Sequence, residues 1–374
     1  MRRHELDPVG TLPLEAVVDR LCGVQAQVAA SAELAIRLRR QVSRPGEVAE
    51  ALAKGRLIRT WAMRGTLHLL TPELGPAFLS LMAAARPWER RAWVTYFGLT
   101  PQVMDALRPA VREALDGRIL TREALMARIT PLLGLEHFVE DPRSSWGTIL
   151  KPLAWQGDLC FGPSQGSRVT FQRPEAASPN WAGVPSPDEA APVAIGAYFG
   201  AYAPTTIEAF GTWLSGGYFS KRKLRSWFDQ VADRLTEVDV DGDRAFVLTE
   251  DVDELSATKP TDAVRLLPGF DQYVLGPGTL DGHVLAKARR TAVSRQSGWI
   301  APVVVSGGVI GGTWALEGDQ VRVEWFKESG RVPRARLAGE VERLGTIAGR
   351  SLALTVSVAG SEMHAEWRPR GGGP

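Results

Sequence analysis

The chain has 374 residues, room for two or three domains, and its 44 Lys and Arg nearly balance 42 Asp and Glu, for a formal net charge of +2. Net charge therefore names no partner, but most of the basic residues are arginine and they cluster, and arginine is the side chain suited to gripping phosphate in a fixed geometry. Two cysteines, Cys22 and Cys160, argue against a disulfide scaffold or a zinc site; no apolar run has the length to span a bilayer and none follows Met1-Arg2-Arg3-His4-Glu5, so a cytoplasmic chain with no membrane partner is expected.

Leu14, Val17, Val18 and Leu21 have helical spacing, with Cys22 read as part of the same apolar helix; Leu34, Ile36 and Leu38 mark a second helix. Between them stands Gln25-Ala26-Gln27. Two long amides around one small apolar residue are unusual in a segment bound for a core, because a buried amide must be hydrogen-bonded or it costs free energy. On a regular helix positions two apart diverge by about 200°; on an extended or helix-entry segment they share a face. Gly23 offers a break, so the pair is expected at a helix start with both amides reaching one cavity. The bland alternative has one glutamine capping a backbone group and the other solvated, and a three-residue match arises readily by chance. A basic set, Arg37, Arg39, Arg40 and Arg44, follows at once.

Pro45 opens a short helix that Gly55 ends, and Arg59–Arg64 and Thr66–Leu69 flank Gly65 as a hairpin carrying Arg64 and His68. A structural role for His68 is at least as good a reading as a functional one. Thr71-Pro72 opens another helix, and Val103, Leu107, Val111 and Leu115 trace an amphipathic one. Thr121 caps the next, with Leu120 and Leu125 as a staple; Trp146, Ile149, Leu150 and Leu153 trace a further helix ending at Gly157. Leu159–Phe161 and Val169–Phe171 then read as a hairpin. Pro174 to Pro192 reads as a linker. Thr205 and Glu208 form a capping box, Ser220 caps a helix opening Lys221-Arg222-Lys223 with Arg225, and Asp241-Gly242-Asp243 turns a hairpin. Helices followed by a hairpin, three times over, is the order of a winged helix-turn-helix.

From Asp262 the texture is short strands separated by Gly-rich turns, with Gly307-Gly308 and Gly311-Gly312 as turn and bulge glycines and one amphipathic helix through Leu337, Val341, Leu344 and Ile347. This predicts a small antiparallel sheet or barrel closed by a helix. Three cations at a helix start oppose the helix dipole, which an external anion such as a DNA phosphate offsets; a solvated charged face is an equal alternative. Lys287, Arg289 and Arg290 form a similar cluster. No Walker loop, HExxH, dinucleotide fingerprint or Ser-His-Asp order is present, and no cofactor or metal is expected.

Gly23-Val24-Gln25-Ala26-Gln27, Arg59-Thr60-Trp61 through Arg64-Gly65-Thr66-Leu67-His68, Leu266-Leu267-Pro268-Gly269-Phe270-Asp271 and Gly311-Gly312-Thr313-Trp314 together resemble the AlkZ-like (YcaQ-like) winged-helix DNA glycosylases, across nearly the whole chain and in the family's order. The resemblance implies an α+β fold of three tandem winged helix-turn-helix units followed by a C-terminal antiparallel β-barrel-like domain, here divided as 1–100, 101–175, 190–255 and 262–368. It implies that Gln25 and Gln27 are the catalytic pair, hydrolysing the N-glycosidic bond of N-alkylated purines in double-stranded DNA, and that a chain with glutamine at both positions acts on bulky natural-product adducts or interstrand crosslinks. Arg37, Arg40, Arg64, His68, Lys221, Arg222, Lys223, Arg225, Lys287, Arg289 and Arg290 are the expected DNA contacts of a monomer. Asp281-Gly282-His283 departs from the family's pattern, leaving that loop's contacts open. A non-enzymatic winged-helix regulator would not need the amide pair, and a resistance protein that sequesters a drug without DNA would lack the salt-dependent binding to undamaged duplex that the other two readings require.

Overall fold

The first apolar run folds as α1 (Leu14–Arg20) and stops short of Cys22, which lies in the following turn with φ 56°, next to Gly23 at φ 95°. The helix expected to contain Cys22 therefore ends two residues early. A Cβ on Gly23 would also come within 2.5 Å of the Leu70 side chain, so only glycine lets the chain turn here. This computed structural model describes residues 1–133 and 146–359. Residues 134–145 of the second predicted unit, the Trp146 side chain and the end of the last predicted domain beyond 359 lie outside them.

The turn delivers the chain into a two-residue strand, β1 (Val24–Gln25), then α2 (Ala29–Arg37) and α3 (Glu47–Ala53). The hairpin is β2 (Ile58–Trp61) and β3 (Leu67–Leu70), joined through a 3₁₀ turn at Met63–Gly65 in which Arg64 and Gly65 both have positive φ. Then come α4 (Gly75–Ala84), α5 (Arg91–Phe97), α6 (Pro101–Ala114), β4 (Leu120–Thr121), α7 (Arg122–Leu133), α8 (Trp146–Trp155) and a second hairpin, β5 (Cys160–Phe161) and β6 (Thr170–Gln172). Thr121 Oγ1 accepts from Ala124 N at 3.2 Å, the cap expected of it.

The two hairpins do not stand in separate modules. They form one six-stranded sheet in the order β1-β3-β2-β5-β6-β4, joined where Arg59 faces Phe161 and where Trp61, Phe161 and Phe171 pack edge-on or tilted against one another.

The predicted linker is helical at both ends, over Pro174–Ala177 and from Pro187 onward. Ser186 and Glu189 form a complete capping box at the start of α9 (Pro187–Tyr202), whose first residue is the proline that composition assigned to a loop. This helix packs on α4 and positions two distant loops: Tyr202 Oη donates to the Leu21 carbonyl at 2.6 Å, just before β1, and Tyr198 Oη donates to the Gly276 carbonyl at 3.1 Å. Next, α10 (Ile207–Ser215) is capped by Thr206, which accepts from Ala209 N at 3.1 Å. The cap is thus one residue later than expected and, with Ala209 at its third position, is not a capping box; Thr205 is taken into a bridge with Phe246. Then α11 (Lys221–Phe228), with Ser220 as its cap, leads to the hairpin of β7 (Leu235–Val240) and β8 (Asp243–Leu248).

The C-terminal part contains β9 (Val264–Leu267), the single turn α12 (Gln272–Leu275), β10 (Val303–Ser306), β11 (Val309–Glu317), β12 (Gln320–Phe326), α13 (Arg334–Ala348) and β13 (Ala353–Ala359). These strands form an open sheet, β13-β12-β11-β10-β9, in which β12 and β13 run parallel. Among the described residues it does not close, so the barrel-like expectation is corrected to a five-stranded mixed sheet. Its register slips between Val304 and Val305, where Gly311 is the extra residue, as the glycine pattern predicted. Leu337, Val341 and Leu344 of α13 cover one face through a shared core with Leu266, Val304 and Val321.

Candidate functional site

The turn at Cys22-Gly23 puts Gln25 on β1, directly opposite His68 of β3, which in turn faces Thr60 of β2. Residues directly opposite across a sheet project from the same face, so Gln25, His68 and Thr60 line up on one side. The helix-start expectation is half met: Gln25 is in the strand and 5% exposed, while Gln27 lies exposed in the bend that leads into α2. Ala26 N still bonds the Leu67 carbonyl at 2.7 Å, extending the ladder by one bond before the chain bends at Gln27.

The Gln25 amide oxygen is engaged by a side chain, not by the main chain. This Oε1 accepts from Arg64 Nη2 at 3.1 Å. Arg64, held in a left-handed turn at φ 56°, donates its other amino group to the Trp213 carbonyl in α10 at 2.5 Å. Burial brings the Arg64 guanidinium down to about 10, with Tyr202 and Tyr198 opposing, so it stays charged at neutral pH.

Arg64 and Trp213 sit on the wall of a cleft of ≈ 640 Å³ between α10, the β7–β8 hairpin and the 275–283 loop. Neither glutamine lines the cleft itself; Arg64 is the link. Across its mouth His283 of the divergent loop approaches Asp241 at the hairpin tip, 3.6 Å from Nε2 to Oδ2, with Nδ1 3.1 Å from Asp281. Gly276 brings this loop in close: a Cβ there would fall 1.8 Å from the Tyr202 ring. Another concavity, ≈ 600 Å³ between α13 and β13, contains none of the candidate residues.

The remaining candidates divide by where their charge goes. His68 is wholly buried, its Nδ1 donating to the Thr66 carbonyl at 3.0 Å. Burial, helped by Arg64, brings its imidazole down to about 3. It has no surface to offer DNA, and the contact expected of it is corrected to a place in the sheet behind Gln25. Arg37 donates to the Ile347 carbonyl at 2.7 Å, and Arg40 donates to the Leu12 carbonyl at 3.1 Å and pairs with Glu47. Arg289 pairs with Glu328 at 2.5 and 2.7 Å over the Phe326 ring. These three bind the fold together. Lys221, Arg222, Arg225 and Lys287 are exposed and, among the described residues, have no ion pair; Lys223 sits over Trp227 at 4.8 Å, and Arg290 lines the cleft.

Sequence reasoning missed two neighbours of the site. Trp213 contributes a main-chain carbonyl, which no side-chain pattern announces. Lys151 of α8, which burial shifts below its ordinary pKa, lies beside Gly65 in the Arg64 turn and belongs to no motif.

A family model described as DNA glycosylase AlkZ-like matches residues 18–347, which contain both glutamines, Arg64 and the cleft. The chain belongs to the AlkZ-like DNA glycosylase family. It is 46% identical over 350 residues, 93% of this chain and 94% of the relative, to a protein of Streptomyces sahachiroi named interstrand DNA cross-link repair glycosylase. The solved structure of the Streptomyces sahachiroi DNA glycosylase AlkZ superposes with a TM-score of 0.90 at 46% identity, covering 96% of this chain and 97% of that one. Among the described residues of this family member, no helix is long and apolar enough to cross a membrane.

Proposed function

We propose that this protein is a monofunctional DNA glycosylase that releases N-alkylated purines from duplex DNA, acting on bulky adducts or interstrand crosslinks. The observation that carries the reading is the amide pair: in a chain of this family, Gln25 is held by a charged side chain at a cleft and Gln27 stands at the surface beside it.

The chemistry asks for little more. An N7-alkylated purine is already cationic and a good leaving group, so a general acid is not required. The transition state places positive charge on the sugar, and an amide oxygen can orient a water and stabilise that charge without acting as a strong base. A crosslinked base cannot easily be flipped into a closed pocket, which favours a site that is open at the surface. In this reading the protein acts as a monomer, the helix-then-hairpin units act as winged helices, and Lys221, Arg222, Lys223, Arg225, Lys287 and Arg290 contact phosphates. Arg37, Arg40, His68 and Arg289 are not carried over, because their polar groups are engaged within the protein or buried.

The test is base release from duplexes carrying N7-methylguanine and an N7–N7 crosslink. Gln25→Ala/Gln27→Ala abolishes release while duplex affinity stays within about threefold, a change of at most about 0.7 kcal/mol. Persistent release by the double variant sinks the assignment.

A further inference from the structure

The bond between Arg64 and Gln25 fixes which end of the amide is free. A guanidinium has five donors and no acceptor, so the atom it faces at 3.1 Å has to be the amide oxygen. This orientation is forced by chemistry and does not rest on telling oxygen from nitrogen. Arg64 cannot easily turn away, since its other amino group is anchored on the Trp213 carbonyl. The Gln25 amide nitrogen is the end left over, and among the described residues no hydrogen bond engages it. Gln27 is under no such constraint: it is exposed and free to turn.

An NH₂ group backed by a guanidinium is electropositive. It opposes positive charge growing on a sugar and helps only where charge becomes more negative. In hydrolysis of an N7-alkylated purine nucleoside that place is the base: the C1′–N9 bond breaks with its electron pair passing to N9, the cationic base becomes neutral, water adds to C1′ and one proton goes to solvent.

We propose that the two amides divide the reaction. Gln25 donates its NH₂ to an acceptor on the departing purine; Gln27 presents its carbonyl to the attacking water; Arg64 is the positioning residue that sets Gln25's polarity. This rests on the glycosylase reading above and assigns different tasks to two residues that sequence makes look equivalent.

Glutamate substitutions separate the tasks. Gln25→Glu keeps an oxygen toward Arg64 and turns the donor into an acceptor; Gln27→Glu keeps the acceptor. With the full chain and an N7-methylguanine duplex, single-turnover release by Gln25→Glu falls about 100-fold, the usual cost of one positioned donor, and at least about thirtyfold further than release by Gln27→Glu. Arg64→Met lowers the single-turnover rate with duplex affinity unchanged, and Arg64→Lys, which restores one donor, recovers part of it. Equal losses in the two glutamate variants, or the larger loss at Gln27, overturn the division of labour. Where Arg64→Met lowers the melting temperature, the glutamate pair alone decides. A wild-type protein that releases no base from either duplex ends the glycosylase reading and this inference with it, an outcome distinct from release with equal losses.

Discussion

At the scale of single residues, burial decides more than chemical type. Arg39 and Arg37 stand two apart in one basic run, yet Arg39 is wholly buried and makes a two-armed pair with Asp271 at 2.9 and 2.7 Å, while Arg37 spends its charge on a carbonyl. Asp271 also caps α12 through Tyr273 N at 2.8 Å, which gives the Pro-Gly-Phe-Asp segment a structural reason. Removing one partner of such a pair leaves a buried charge without compensation, so Asp271→Asn is expected to cost about 3–5 kcal/mol in urea denaturation. Arg39→Met/Asp271→Leu should recover most of that loss, and a double variant as unstable as the single one contradicts it. His68 yields a pH prediction. Its imidazole is held neutral down to about 3, so below about pH 6.5 the unfolded chain takes up a proton that the folded chain refuses. Its contribution is full above that pH and is lost as pH falls toward 3. Buried His4, also shifted well down, adds to the same slope, whereas Asp19, raised to about 6 by burial, works the other way as pH rises from its ordinary range to about 6. His68→Asn keeps a donor for the Thr66 carbonyl and should flatten the loss of stability between pH 6.5 and 4.5; an unchanged slope rules the account out.

At the scale of elements, what was legible in the sequence was what repeats locally. The periodicity of α6, the Thr121 and Ser220 caps, the Asp-Gly turn between β7 and β8 and the bulge at Gly311 depend on neighbours a few residues away. The oddness of two amides in an apolar setting was also visible, and it pointed at Gln25. Hidden from the sequence were the joints between distant elements. Gln25 meets Arg64 across 39 positions, and Arg64 meets a carbonyl 149 positions on. The start of α9 was misread because Pro187 and Ser186 have loop composition and helix-start function at once. Gly276 shows what such a joint requires. Its φ is ordinary, −64°, so it is there for space and not for backbone freedom. Gly276→Ala puts a methyl into the Tyr202 ring and is expected to destabilise by about 1–3 kcal/mol, seen as a lower melting temperature; an unaltered melt means the loop yields freely.

At the scale of the whole molecule, charge says more than its sum. The net charge is +2, but Lys221, Arg222 and Arg225 stand exposed and, among the described residues, without ion pairs along one short helix. If all three meet phosphates, replacing them with alanine reduces the slope of log affinity against log salt by about 2.7, from about 0.9 per contact, and weakens damaged and undamaged duplex alike. A slope that does not move places the duplex elsewhere.

The six-stranded sheet carries a consequence for movement. Because both early hairpins share one ladder, the described residues of the first two predicted units are tied to each other where Arg59 faces Phe161. On the glycosylase reading, a sheet tied in this way favours meeting a distorted duplex by bending of the nucleic acid, with the exposed contact of His283 and Asp241 standing at the edge of the cleft.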